Sequence, residues 1–345
     1  MRGRAPRVVA AFRETRDARV VTLRGPHRIP ESGWRPLAAP RMCDHPPVTT
    51  DSSASDTRDL RARLAGVRAL LLDLDGVIVL KGELLPGAAE ALNRLDAAGV
   101  PYVIGTNMSL VSRATLAGYL AKGGASVPPD RIVSAASAAA AYVRRRFGDE
   151  PVYVLVAPDG LPEFAGLRLL SHEEAGRPGA RAAAVVVGDA AAEFTPANVQ
   201  SAFRLLRGGA RFVAMHKNRW WLTPNGELLD AGAYVVGLEY ATERRALVTG
   251  KPARAFFEEG VRRLAELTAA AGGPPLAAGE VAMVGDDLLN DVRGAQRAGL
   301  RGVLVRTGKH GEADLARFAS GRGGGVPDAV APSLEEVAAA LVKAG

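Results

Sequence analysis

The sequence predicts an α/β protein: a doubly wound parallel sheet with a second α/β unit inserted into it. Three observations carry that prediction. Apolar runs of strand length recur along the chain with little polar interruption, as strands buried on both faces should read. Segments of helical spacing separate them, and strand–helix alternation argues a parallel sheet covered by helices on both faces. Between about residues 150 and 243 the alternation restarts, and the first pattern resumes after it, so the second unit lies inside the first.

The first strand is Val67-Arg-Ala-Leu-Leu-Leu-Asp-Leu-Asp75, an apolar run that ends in acids. Pro86 to Ala98 follows with helical spacing, Leu92 and Leu95 on one side. Tyr102-Val-Ile104 is the next strand, Leu110 to Ala121 the next helix, and Ile132-Val133 a third strand. The inserted block reads Val152–Val156, Ala184–Val187 and Phe212–Ala214 as strands, with a helix over Pro196–Leu206. Ala246-Leu-Val248 resumes the outer pattern, followed by a helix over Phe256–Glu266 and a strand at Val281–Val284. A helix over Val292–Ala298 and a strand at Gly302–Val305 complete it. The expected division is a core over residues 61–149 and 244–345, an inserted unit over 150–243, and an N-terminal extension over 1–60.

Charge and composition exclude several classes of function. The chain is 48% apolar and 23% charged, an ordinary globular composition. Its longest uncharged stretch, Ala97 to Ser112, contains Pro101 and Gly105 and is too short for a membrane span of about 20 residues. The net charge of +7 is confined to one end: residues 1–41 hold ten Arg against three acids, so the rest sums to zero. A basic terminus without a recognition motif is no basis for nucleic-acid binding. The single cysteine, Cys43, excludes an internal disulfide framework and a cysteine-rich zinc site, and a reducing, cytoplasmic setting is expected. Residues 1–60 lack a sustained apolar period and cannot bury enough surface to offset ordering entropy. They read as a disordered extension, an Arg-rich transit peptide, or translated sequence upstream of a start at Met42; Glu14, Asp17 and Glu31 weaken the transit reading.

Chemistry gathers where the strands end, which is where open parallel sheets bind ligands. Asp73-Leu-Asp75-Gly76 places two acids at i and i+2, on one side of an extended backbone. Two carboxylates that close repel each other, and a bound cation removes the repulsion. Gly285-Asp286-Asp287, with Asp291 beyond, can add the oxygen ligands a hard ion such as Mg²⁺ takes. Thr106-Asn107 offers a hydroxyl and amides to an anionic oxygen, and Lys251 in Gly250-Lys251-Pro252 brings positive charge to the same edge. A lone Asp-x-Asp caps turns everywhere, Thr106 alone reads as a helix cap, and Lys251 alone reads as a solvated amine. Four such pieces, each directly after a strand, point to one site.

Taken in order, Asp73-Leu-Asp75-Gly76-Val77, Gly105-Thr106-Asn107, Gly250-Lys251-Pro252 and Gly285-Asp286-Asp287-x-x-x-Asp291 resemble the four motifs of the haloacid dehalogenase-like hydrolases. The insertion between the second and third motifs resembles the NagD-like subfamily, in which it forms an α/β cap domain on a Rossmann-type core. Ala202-Phe-Arg-Leu-Leu206, Leu238-Glu-Tyr-Ala-Thr242, Gly294-Ala-Gln296 and Val305-Arg-Thr-Gly-Lys309 resemble the branch that contains phospholysine phosphohistidine inorganic pyrophosphate phosphatase. The resemblance covers about residues 66–343. Two departures stand out: Met108 follows Asn107 where the family often has a second Asn, and Asp75 is present where the branch often lacks it.

The resemblance implies a Mg²⁺-dependent phosphatase of small phosphorylated metabolites, acting through an aspartyl-phosphate. Asp73 is then the nucleophile and Asp75 the general acid–base. Mg²⁺ sits on Asp73, the Asp75 backbone carbonyl and Asp286, with Asp291 behind them. Thr106, the Asn107 amide and Lys251 hold phosphoryl oxygens. A phosphotransferase or mutase using the same intermediate, or a catalytically silent binding protein of this fold, are the alternatives. A homodimer through the cap is implied as well, with no nucleic acid or membrane as partner. Within the insertion, Met215-His216-Lys217-Asn218-Arg219-Trp220-Trp221 is either a substrate-selecting stretch or a packing loop.

Overall fold

A computed structural model describes residues 54–223, 226–308 and 326–342. In chain order the first part holds helix α1 (Ala54–Arg63), strand β1 (Ala69–Leu72), the hairpin β2 (Val79–Leu80) and β3 (Glu83–Leu84), and α2 (Ala88–Ala97). Then come β4 (Tyr102–Thr106), α3 (Arg113–Lys122), β5 (Ile132–Ser134) and α4 (Ala135–Phe147). An inner series follows: β6 (Val152–Leu155), β7 (Leu169–Leu170), α5 (His172–Gly176), β8 (Ala184–Val187), α6 (Pro196–Arg207) and β9 (Arg211–Ala214). It closes with the hairpin β10 (Trp220–Thr223) and β11 (Gly226–Leu229), α7 (Gly232–Thr242) and β12 (Leu247–Val248). The chain ends through α8 (Arg254–Ala270), β13 (Val281–Gly285), α9 (Gly294–Arg297), β14 (Arg301–Val305), β15 (Ala329–Ala331) and α10 (Leu334–Leu341).

Six strands form one sheet in the order β15-β14-β13-β1-β4-β5, every neighbouring pair parallel. Strand β1 is central, with Leu70 opposite Ala282 on one side and Tyr102 on the other. All four of its residues are buried, which is why it reads as an unbroken apolar run. Alternate side chains serve the two faces: Leu70, Leu72, Tyr102 and Ile104 pack with Leu92, Leu95 and Val337, whereas Leu71, Val103 and Met283 pack with Phe256, Phe257 and Leu264. From β1 the chain steps outward through β4 and β5; later it re-enters at β13 and steps the other way. The reversal between β1 and β13 opens a crevice at their carboxyl ends.

Between leaving the six-stranded sheet and returning to it, the chain builds a second parallel sheet in the order β12-β9-β8-β6-β7. Strand β12 belongs here, paired Leu247 to Val213 and Val248 to Ala214. The expectation that 246–248 resume the outer sheet is therefore corrected, and the inner sheet reaches Val248. A two-residue apolar run carries no information about which of two sheets it joins.

Two further differences have local causes. Of the extension expected over residues 1–60, residues 54–60 lie in α1, with Leu60 and Leu64 buried in the core. Arg61 Nε donates to the Ala340 carbonyl at 3.2 Å. Two leucines one turn apart among Arg and Asp are too short a pattern to read as a helix. Residues 1–53 lie outside the described residues. The helix expected over 292–298 is a π-helical turn, Leu288–Arg293, running into α9. Such wide turns are rare and frequently fall at functional sites. Among the described residues no helix is long and apolar enough to cross a membrane.

Candidate active site

The four pieces that follow strands do converge at the β1–β13 crevice. Asp73 is the first residue past β1 and is held there from both sides. Its N–H donates to the Val284 carbonyl at 2.8 Å, and its Oδ1 accepts from the Leu74 N–H at 2.7 Å. Asp286 follows β13 directly, and the π-helical turn brings Asp291 back beneath it, where Asp291 Oδ2 accepts from the Asp287 N–H at 3.1 Å. Asp73, Asp286 and Asp291 are all buried, and one ligand oxygen from each lies within 4.8 Å of the others. Asp75 is outside this group, with an exposed side chain on the turn after Asp73. Asp291, expected behind the metal ligands, lies in the same buried cluster as Asp73 and Asp286.

Lys251 comes to the cluster from 178 residues away. Its ammonium lies 2.6 Å from Asp73 Oδ1 and 2.8 Å from Asp291 Oδ1. Asn107 positions it: the Asn107 amide donates to the Lys251 carbonyl at 3.0 Å and accepts from the Lys251 N–H at 2.7 Å. The Asn107 side chain thus joins the second motif to the third. Thr106 is buried at the end of β4, and its hydroxyl accepts from the Met108 N–H at 3.1 Å. Met108 packs against the core, so the position where the family often has a second Asn serves packing here.

Electrostatics set this cluster apart. Burial pushes the Asp291 carboxyl up to about 8, with the Asp73 charge adding to the effect. Burial also raises Asp73; Lys251 works against the rise, while Asp286 and Asp75 reinforce it. Lys251 is buried too, which disfavours its charge, yet Asp291 and Asp73 hold its pKa above the ordinary lysine value. Lys251 thus bonds two of the three clustered carboxylates, Asp73 and Asp291. The three carboxylates make an all-oxygen donor set, which fits a hard divalent cation.

Within the stretch 215–221, Met215, His216 and Lys217 have partners outside the acidic cluster. Met215 and His216 are fully buried. Lys217 Nζ bonds Glu239 Oε1 at 2.7 Å, and Glu239 Oε1 also accepts from the Ala246 N–H at 2.7 Å. His216 Nε2 lies 3.0 Å from Ser109 Oγ, which accepts from the Asp189 N–H at 2.9 Å. Ser109 therefore ties the loop after Thr106-Asn107 to the carboxyl edge of the inner sheet. Sequence reasoning missed Ser109, because nothing adjacent to it marks its partners.

Comparison with known proteins agrees with the geometry. Residues 70–167 match the family described as "Haloacid dehalogenase-like hydrolase", and residues 248–337 one described as "HAD-hyrolase-like". Haloacid dehalogenase-like hydrolase domain-containing protein 2 of Bos taurus is 36% identical over 248 residues, 72% of this chain and 87% of that protein. Phospholysine phosphohistidine inorganic pyrophosphate phosphatase of Xenopus laevis is 35% identical over 72% of this chain and 87% of its own. Among solved structures, a 4-nitrophenylphosphatase of Thermotoga maritima superposes with a TM-score of 0.68 at 28% identity, covering 80% of this chain and 98% of that one. NagD of E. coli K-12 gives 0.66 at 25% identity, covering 78% and 98%. A glycerol phosphate phosphatase of Mycobacterium tuberculosis, in complex with magnesium, gives 0.67 at 26%, covering 80% and 77%. With its four motifs on one crevice and relatives of this similarity over most of its length, the chain belongs to the haloacid dehalogenase-like hydrolases, in their NagD-like subfamily.

Proposed function

We propose that the protein is a Mg²⁺-dependent phosphatase that hydrolyses small phosphorylated metabolites through a phosphorylated Asp73. The observation that carries this reading is the Lys251 ammonium set between Asp73 and Asp291 in a cluster of three buried carboxylates. The names of relatives and neighbours support it, since they include a pyrophosphate phosphatase, a 4-nitrophenylphosphatase and a magnesium-bound glycerol phosphate phosphatase.

Phosphate monoesters resist hydrolysis because an anionic nucleophile must approach an anionic centre, so positioning and charge neutralisation dominate catalysis. Asp73, Asp286 and the Asp75 backbone carbonyl would hold Mg²⁺, with Asp291 beside them. Magnesium, when bound, supplies the positive charge that offsets repulsion between carboxylate and phosphoryl oxygens. Asp73 Oδ1 is engaged by Lys251 and the Leu74 N–H, which leaves Oδ2 for attack on phosphorus. As the Oδ2–P bond forms and the P–O bond to the leaving group breaks, Asp75 gives its proton to the departing oxygen. Asp75 then takes a proton from water, whose oxygen attacks phosphorus and frees Asp73 and phosphate. Thr106, the Asn107 backbone N–H and Lys251 hold the phosphoryl oxygens through both steps.

A second copy of the chain is the proposed partner, joined through the inner sheet's outer elements in a reducing, cytoplasmic setting. Trp220 (52% exposed) and Leu229 (60%) on the β10–β11 hairpin, with Val236 and Tyr240 (88%) one turn apart on α7, support such a surface. Light scattering on the wild type and on a Trp220→Glu, Tyr240→Glu variant checks it; a wild-type monomer removes it. The activity is tested by phosphate release from 4-nitrophenyl phosphate. Release that requires Mg²⁺ and stops on chelation supports the reading; no release at any divalent concentration contradicts it.

A further inference from the structure

Val305-Arg-Thr-Gly-Lys309 has no part in the four-motif chemistry, yet its first residues reach the crevice. The strand order β14-β13-β1 puts Asp286, at the end of β13, between the turn that follows β14 and the turn that follows β1. The Thr307 hydroxyl spans that gap and donates to the Gly76 carbonyl. Gly76 has φ +79° and its N–H donates to the Val79 carbonyl at 2.7 Å, so it is the pivot of the turn that carries Asp75. A β-carbon on Gly76 would overlap the Asp286 carboxylate, and a β-carbon on Gly308 would overlap the same Oδ2. The Asp286 carboxylate therefore lies in a slot with a glycine on each wall. The Thr307–Gly76 bond ties one wall to the other.

We infer that Thr307 and Gly308 form a clasp over Asp286 that fixes both this metal-ligand carboxylate and the turn bearing Asp75. The clasp rests on the proposed reading of the site as a Mg²⁺ centre. Thr307 acts as a positioning residue: it touches the backbone of the Asp75 turn and leaves substrate to other groups. Groups that orient a ligand carboxylate typically change metal affinity by about 10–100-fold when removed. The loss arises because a carboxylate free to rotate must be ordered again each time the ion binds.

The test uses the full chain with Thr307→Val, Thr307→Ser and Gly308→Ala. Valine keeps the shape of threonine and removes the hydroxyl, serine keeps the hydroxyl, and alanine fills the slot. Mg²⁺ alone is titrated calorimetrically, and amide hydrogen exchange is followed over residues 74–80 without metal. The expected result is Mg²⁺ binding weaker by about 10–100-fold in Thr307→Val and Gly308→Ala. Exchange over 74–80 should speed up in Thr307→Val, and Thr307→Ser should restore both readouts. Wild-type affinity and wild-type exchange in Thr307→Val overturn the clasp. Should that variant fail to fold, Gly308→Ala decides, and unchanged Mg²⁺ affinity there overturns it. If the wild type binds no Mg²⁺, the metal reading fails separately, and exchange over 74–80 alone judges the Thr307 bond.

Discussion

At the carboxyl edge of the six-stranded sheet, Asp73, Asp286 and Asp291 crowd together, the Lys251 ammonium bonds two of them, and burial drives two of the three carboxyls above their ordinary range. At the carboxyl edge of the five-stranded sheet, acids meet a lysine and a histidine: Glu239 beside Lys217, Asp230 and Asp189 beside His216. Lys217 is paired with Glu239, whose carboxyl lies below its ordinary value even though burial opposes this, because Lys217 and the Ala246 N–H bond it. His216 is buried and its pKa is lowered by desolvation, so it sits neutral against Ser109. Both edges come from the same parallel architecture, so fold alone does not locate the chemistry. A cluster of buried carboxyls close enough to share one cation, with raised pKa values among them, does.

The comparison breaks if the crowded edge proves dispensable. Asp73→Asn should leave no measurable turnover of 4-nitrophenyl phosphate, since it removes the attacking oxygen and a metal carboxylate together; retained activity would falsify the assignment. Asp75→Asn should lower kcat by roughly 10²–10⁴-fold, the usual scale of general acid–base help. A loss confined to KM would place Asp75 in binding instead. On the edge of the five-stranded sheet the expected effects fall on stability. Lys217→Ala should lower unfolding free energy by about 1.5–3 kcal/mol, the value of a hydrogen bond to a charged group. Its kcat/KM should keep the same ranking across phosphorylated substrates, and a changed ranking would return Lys217 to substrate selection.

The smallest effect sharpens the comparison by pH. Burial lowers the His216 pKa from its ordinary 6.5, with Asp230 and Asp189 pulling the other way. The unfolded chain then takes up a proton that the folded chain refuses. The contribution is fully present above about pH 6.5 and is lost as the pH falls below it. Between pH 7.5 and 5.5 the Tm of His216→Gln should decline less than that of the wild type. Parallel declines would mean that His216 titrates alike in the folded and unfolded chain.

The crowded edge is legible in the sequence because Asp73 and Asp286 each directly follow a strand of this sheet. Strand, turn and acid are contiguous in Asp73-Leu-Asp75 and in Gly285-Asp286-Asp287, and local sequence encodes both. What joins the pieces is not local. Asn107 meets Lys251 across 144 residues, and Thr307 meets Gly76 across 231. Asp291 was visible as an acid, but its place depends on a π-helical turn, where helical spacing fails. The membership of β12 and the Lys217–Glu239 pair depend on which elements pack together, and no short-range pattern records that.

The most direct test of the central claim is to trap the phosphorylated residue. The protein is mixed with 4-nitrophenyl phosphate and Mg²⁺, quenched in acid, and treated with borohydride, which reduces an aspartyl-phosphate to homoserine. Peptide mass spectrometry then reads the position. The account predicts homoserine at position 73, dependent on substrate and missing from Asp73→Asn. Modification at another residue, or steady turnover with residue 73 unmodified, would contradict it.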